Sequence, residues 1–101
     1  MVKHIVMWRL REEANGMGRR ENALAIKGRL EGLSGKIPGL LRIEAGVADE
    51  VSEGGYDVVL LSEFTDMQAL ALYQKHPLHE AVRDFIVTAA AGRAVVDFET
   101  A

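Results

Sequence analysis

The sequence contains no cysteine, and that absence removes disulfide frameworks, thiol nucleophiles and cysteine zinc sites together. It fits a reducing compartment, and a cytoplasmic location is the expectation. Positive charge is also scarce. Twelve Lys and Arg stand against fifteen Asp and Glu for a net charge of -3, and the basic residues are scattered rather than striped. Phosphate neutralisation needs an excess of cations, so no nucleic-acid partner is expected. No long hydrophobic run is present. The most apolar opening stretch, Met1 to Arg11, is broken by Lys3, His4 and Arg9, which is too short and too polar for a signal peptide or a membrane span. No membrane partner is expected. What remains is ordinary globular composition, 49% apolar and 27% charged over 101 residues, enough to bury a core without staples. A single domain over residues 1–101 follows.

Val2 to Leu10 is rich in β-formers and reads as a first strand, followed by a polar, glycine-bearing loop from Arg11 to Arg20. From Glu21 onward, Ala23, Ile26, Leu30 and Leu33 recur at three- and four-residue spacing, which predicts an amphipathic helix ending near Gly32. Leu40 to Val47 and Tyr56 to Phe64 read as the second and third strands. Thr65 and Gln68 have capping-box spacing and start a short helix that runs to about Lys75. Pro77 disfavours the helical conformation at His76 but suits the first turn of a new helix, predicted to run to about Ala91 and stop at Gly92. Arg93 to Glu99 completes the pattern as a fourth strand.

The order strand, helix, strand, strand, helix pair, strand predicts an α+β fold of the ferredoxin-like βαββαβ type, with helices on one side of a four-stranded antiparallel sheet. The other side has no cover. A half-wet sheet should alternate apolar and polar residues, yet these strands are apolar in both phases. His4, Val6, Trp8 and Leu10 oppose Ile5 and Met7; Val58, Leu60 and Phe64 oppose Val59 and Leu61; Val95 opposes Val96 and Phe98. Exposing such side chains forfeits about 1.5–3 kcal/mol each relative to burial, so a second copy is the expected cover and a homodimer the expected state.

Candidate chemistry concentrates in Tyr73 to Glu80, at the junction of the two C-terminal helices. His79 titrates near neutrality and suits a general base, Tyr73 suits a hydrogen-bond donor to a carbonyl or enolate oxygen, and His4 adds a polar corner beside Val6 and Trp8. The set fits proton abstraction beside a carbonyl. Spacing alone favours a structural assignment, with His76 and His79 satisfying helix ends and Tyr73 packed in the core. A metal site from His76, His79 and Glu80 is disfavoured because Pro77 breaks the register that would align the histidines. Cofactor loops are incomplete. Glu21 stands where a dinucleotide loop after Gly16 and Gly18 needs its third glycine, Ile37 follows Lys36 where a phosphate loop needs serine or threonine, and Ser34 lacks the spacing of a nucleophile elbow. No cofactor and no metal are expected.

Four segments carry a family likeness: VKHIVMWRL from Val2, GYDVVLLSEF from Gly55, YQKHPLH from Tyr73 and VVDFE from Val95. Together they resemble the stress-responsive A/B barrel (Dabb) family, whose most specific mark is His-Pro-any-His after a tyrosine-bearing short helix. The resemblance implies a ferredoxin-like fold that pairs through its sheets into a dimeric α+β barrel. It also implies a range of roles: stress-induced and antimicrobial plant proteins, a cofactor-independent plant polyketide cyclase, and bacterial proteins of unknown role. The cyclase's working residues correspond to Tyr73 and His79, with His4 nearby. The expected ligand is a small aromatic or polyketide-like carbonyl compound. The expected role is that of a stress-associated or uncharacterised Dabb homodimer with one small apolar pocket per subunit; the alternatives are a cofactor-independent cyclase, lyase or isomerase with His79 as base and Tyr73 as donor, and a non-catalytic stress-protection module. Related dimeric barrels include monooxygenases and haem binders. Magnesium reported in some relatives does not carry over, since no ligand set matches.

Overall fold

The computed structural model describes residues 1–100. The chain runs β1 (Val2–Leu10), β2 (Glu13–Ala14), β3 (Met17–Gly18), α1 (Arg19–Glu31), β4 (Leu40–Val47), β5 (Val58–Phe64), α2 (Met67–Lys75), α3 (Pro77–Ala89) and β6 (Ala90–Glu99). The main sheet is antiparallel in the order β4-β5-β1-β6, the ferredoxin-like arrangement, with β1 and β5 central. The even-numbered residues of β1 and β5 point under the helices. Val2, Val6, Trp8, Leu10, Val58, Leu60 and Phe64 are buried there with Ile26 and Leu30 of α1, Leu70 and Tyr73 of α2, and Val82 and Ile86 of α3.

Local chemistry explains where several elements differ from the sequence expectation. The loop after β1 holds a two-stranded ribbon, β2 with β3, tied down by the fully buried Asn22, whose Nδ2 donates to the Ala14 carbonyl at 2.9 Å. This lets α1 begin at Arg19, ahead of the apolar repeat. The cap of α2 is Asp66, not Thr65: its carboxylate accepts the Ala69 amide at 2.8 Å, while the Thr65 amide is taken by the Gly39 carbonyl at 3.0 Å. Gly39 has a φ of 82°, and a Cβ there would sit 2.6 Å from that of Ala69, so only glycine lets the start of β4 approach α2. Helix α3 stops at Ala89 rather than Ala91, and Gly92 is not a cap but a strand residue paired with Arg9. Pairing with β1 extends β6 back to Ala90 at the cost of a bulge that skips Ala91.

The outer face of the sheet is as apolar as its alternation predicts. Met7, Leu61, Val96 and Phe98 are 37%, 40%, 53% and 43% exposed, with Ile5 beside them. The described residues offer no cover for this face. No helix among them is long and apolar enough to cross a membrane.

Candidate active site between the sheet and the paired helices

The break between α2 and α3 arises from three consecutive choices in the chain. His76 is extended, its Nδ1 accepts the Leu78 amide at 3.1 Å, and Pro77 fills the first helical position. Capping thus occupies His76 at the surface. The change of direction aims Tyr73, in the last turn of α2, and His79, in the first turn of α3, at the same space, and their rings lie 4.2 Å apart between centroids. Phe64 supports the tyrosine ring from β5 at 4.9 Å. His4 enters from β1, with its ring 6.2 Å from that of Tyr73. All three predicted residues line one cavity of about 390 Å³, whose walls include Val6, Trp8, Leu60, Val82 and Ile86.

The polar atoms of this cavity are unevenly satisfied. The Tyr73 hydroxyl and His79 Nδ1 are buried and have no hydrogen-bond partner. Burial drives the tyrosine hydroxyl far above the ordinary phenol range, so it remains a proton donor. Burial also holds the His79 imidazole below its usual pKa. The backbone carbonyl of Gln74 opposes this shift, the positive charge of Arg83 and the nearby His4 reinforce it, and Glu80 opposes it weakly. At neutral pH His79 is uncharged and able to accept a proton. His4 is paired: its Nδ1 forms a short contact with Asp97 Oδ1, a carboxylate on β6 whose side chain is 29% exposed. That pairing puts the proton on Nδ1 and leaves Nε2 free, the orientation a carboxylate gives a histidine.

Asp97 was not among the residues singled out from sequence, and neither were Gln74, Arg83 and Arg93, which also line the cavity. The signals were present. Arg83 follows His79 by one helical turn, and Asp97 and Arg93 share the phase of Val95; the missing piece was the β1–β6 register that sets Asp97 opposite His4. No group of three or more His, Cys, Asp or Glu suited to a metal ion occurs among the described residues.

The stress responsive A/B barrel domain matches residues 2–100. The chain belongs to the Dabb family. Among solved structures, a dimeric protein of unknown function and ferredoxin-like fold from Bacteroides fragilis is 30% identical, with 98% of this chain and 95% of that one covered and a TM-score of 0.86. A dimeric ferredoxin-like protein of unknown function from Jannaschia sp. CCS1 is 28% identical over 98% of both chains, with a TM-score of 0.74. The hydroxynitrile lyase of Passiflora edulis shares the fold at 16% identity, covering 96% of this chain and 90% of its own, with a TM-score of 0.71. No curated protein matches the sequence.

Proposed function

We propose that this Dabb domain binds a small apolar carbonyl compound and abstracts a proton beside the carbonyl without a cofactor. One observation carries the reading: two polar atoms, the Tyr73 hydroxyl and His79 Nδ1, are buried without partners in the same apolar cavity. Leaving such groups unmade costs about 1–3 kcal/mol each, a cost that a ligand presenting a carbonyl and an acidic C–H offsets. In this mechanism the Tyr73 hydroxyl donates to the carbonyl oxygen. With its own proton on Nε2, His79 takes the α-proton on Nδ1; the C–H electron pair moves into the forming C=C bond and the carbonyl pair onto oxygen. Tyr73 then holds an enolate oxygen, where a fixed donor is worth most. The enolate recovers a proton from the His79 imidazolium, or its carbon attacks a second carbonyl, whose C=O pair moves onto oxygen and takes that same imidazolium proton, closing an aldol and returning His79 to its neutral form. His4, oriented by Asp97, supports the same end of the cavity.

The working form in this reading is a homodimer joined through the outer sheet face. The exposed row of Met7, Leu61, Val96 and Phe98 supports it, as do the dimeric structures at 30% and 28% identity. Chemistry and dimer contact then occupy opposite sides of one sheet.

The test uses small aryl ketones and arylacetaldehydes in deuterated buffer. Binding is followed by the emission of Trp8, the sole tryptophan, which lines the cavity, and proton exchange at the α-carbon by NMR. Wild type is expected to accelerate exchange, and His79→Ala to bind but not exchange. Equal exchange in both removes the catalytic claim and leaves a binding module.

A further inference from the structure

We propose that the ligand of this cavity is an anionic amphiphile, an apolar body ending in a carboxylate, and that Arg83 and Arg93 select that end. The inference rests on the pocket reading above and adds the charge and orientation of what enters. Along α3 the residues lining the cavity are His79, Val82, Arg83, Ile86 and Val87, one helical stripe. The chain then reverses into β6, whose inward phase carries Arg93, Val95 and Asp97, level with Trp8, Val6 and His4 of β1. The cavity therefore has two polar ends. Tyr73, His79 and His4 form one, Arg93 marks the other, Arg83 lies one helical turn from His79 toward it, and apolar walls separate them.

The two arginines lack the partners that would explain them. Arg93 makes no ion pair or side-chain hydrogen bond among the described residues. Among the described residues the one carboxylate within ion-pair distance of Arg83 is Glu80, at 3.7 Å, with both side chains about half exposed, a pairing of little energetic weight. Arginine is the side chain best matched to a carboxylate, which it can bind through two parallel N–H donors. Along the strand, the His4 and Arg93 rungs are four residues apart, about 13 Å at roughly 3.3 Å per residue. A ligand of that length or somewhat less spans from the proton-transfer end to the cationic end. A bound carboxylate has a further effect: it offsets the Arg83 charge that resists protonation of His79, and so favours the imidazolium formed on proton abstraction. The competing explanation, that both arginines only bury their aliphatic stems against the cavity rim while their heads reach solvent, predicts no preference for an anion.

The experiment compares 6-phenylhexanoate with the neutral 6-phenylhexan-1-ol by calorimetry at fixed ionic strength, with Trp8 emission recorded in parallel. A charge-assisted contact corresponds to roughly tenfold tighter binding of the acid by wild type. The double variant Arg83→Met with Arg93→Met should bind acid and alcohol equally, and Arg83→Lys with Arg93→Lys should restore part of the preference. Equal binding of both probes by wild type overturns the charge assignment while the pocket stands. Failure of both probes to bind, or heat of binding with no change in Trp8 emission, overturns the pocket reading and this inference with it.

Discussion

Replacing Tyr73 by phenylalanine isolates the hydroxyl on which the site reading depends. The ring packs against His79 at 4.2 Å and Phe64 at 4.9 Å, and phenylalanine keeps both contacts. Only the oxygen is lost, and it is a buried atom with no partner in the ligand-free chain. A buried polar group without a hydrogen bond costs about 1–3 kcal/mol, so Tyr73→Phe is expected to stabilise the free protein by about 1–2 kcal/mol, the lower part of that range. In a domain of this size that raises Tm by roughly 4–8 °C per kcal/mol. The same variant should lose carbonyl binding, because the donor is gone. The assay is urea denaturation of both proteins at one protein concentration, which holds any association term fixed, together with titration of an aryl ketone. Stability falling by 1 kcal/mol or more, with ketone affinity retained, would refute the argument, because the hydroxyl would then be a satisfied core group (a loss of about 1 kcal/mol is what one ordinary hydrogen bond contributes). The opposed signs are the point of the test. Few core substitutions stabilise a fold, and one that does so while removing a ligand marks a group retained for function.

Acid sensitivity follows from His79. Its folded pKa lies below the ordinary value of 6.5, so above that pH neither state takes a proton; as pH falls below it, the unfolded chain binds the proton first and stability declines until the folded-state pKa is passed. Urea denaturation from pH 8 to 5 (a range of about three units around the histidine window) should show that slope, and His79→Gln should flatten it. Glu31, held low mainly by its bond from Lys27, acts only below its own ordinary value of 4.5, so its contribution stays outside the histidine window. Asp57 offers a structural control. Its buried carboxylate accepts the Leu10 amide at 2.7 Å, and Asp57→Ala should cost about 1–3 kcal/mol in thermal or urea melts, with Asp57→Asn recovering part of it.

The readability of this chain depended on whether a feature was local or required register. The two phases of β1, β5 and β6 were legible because alternation is a property of one strand, and they led to the two-faced sheet directly. The helix break at Pro77 was equally local. What the sequence could not supply was pairing. Gly92 has the composition of a helix stop, yet its place opposite Arg9 makes it a strand residue, because the β1–β6 ladder contributes more than a terminal turn of helix. Thr65 and Gln68 have the spacing of a cap, but the carbonyl of Gly39, distant in sequence, takes the Thr65 amide and passes the capping task to Asp66. The same limit applied to the site. Tyr73 and His79 are close in sequence, so their convergence on one cavity is legible there; Asp97 meets His4 only through a contact between opposite ends of the chain, which no local pattern gives.

The sheet would also tie the cavity to the proposed dimer more closely than its two faces suggest. Strand β6 is an edge with only β1 beside it, and its residues alternate between the two tasks: Arg93 lines the cavity and Asp97 pairs with His4, while Val96 and Phe98 face outward. Val95, although in the inward phase, is 47% exposed, so α3 grips this strand loosely from the inside. A partner covering Val96 and Phe98 would therefore hold the strand that orients His4 through Asp97. On this reasoning Phe98→Lys should do two things at once. Sedimentation at micromolar concentration should show dissociation into monomers, because a charge replaces apolar area at the seam. Ligand affinity should fall as well, although the introduced ammonium would point away from the cavity. A monomeric Phe98→Lys with wild-type affinity would show that β1 alone fixes β6 and that the two faces of the sheet act independently.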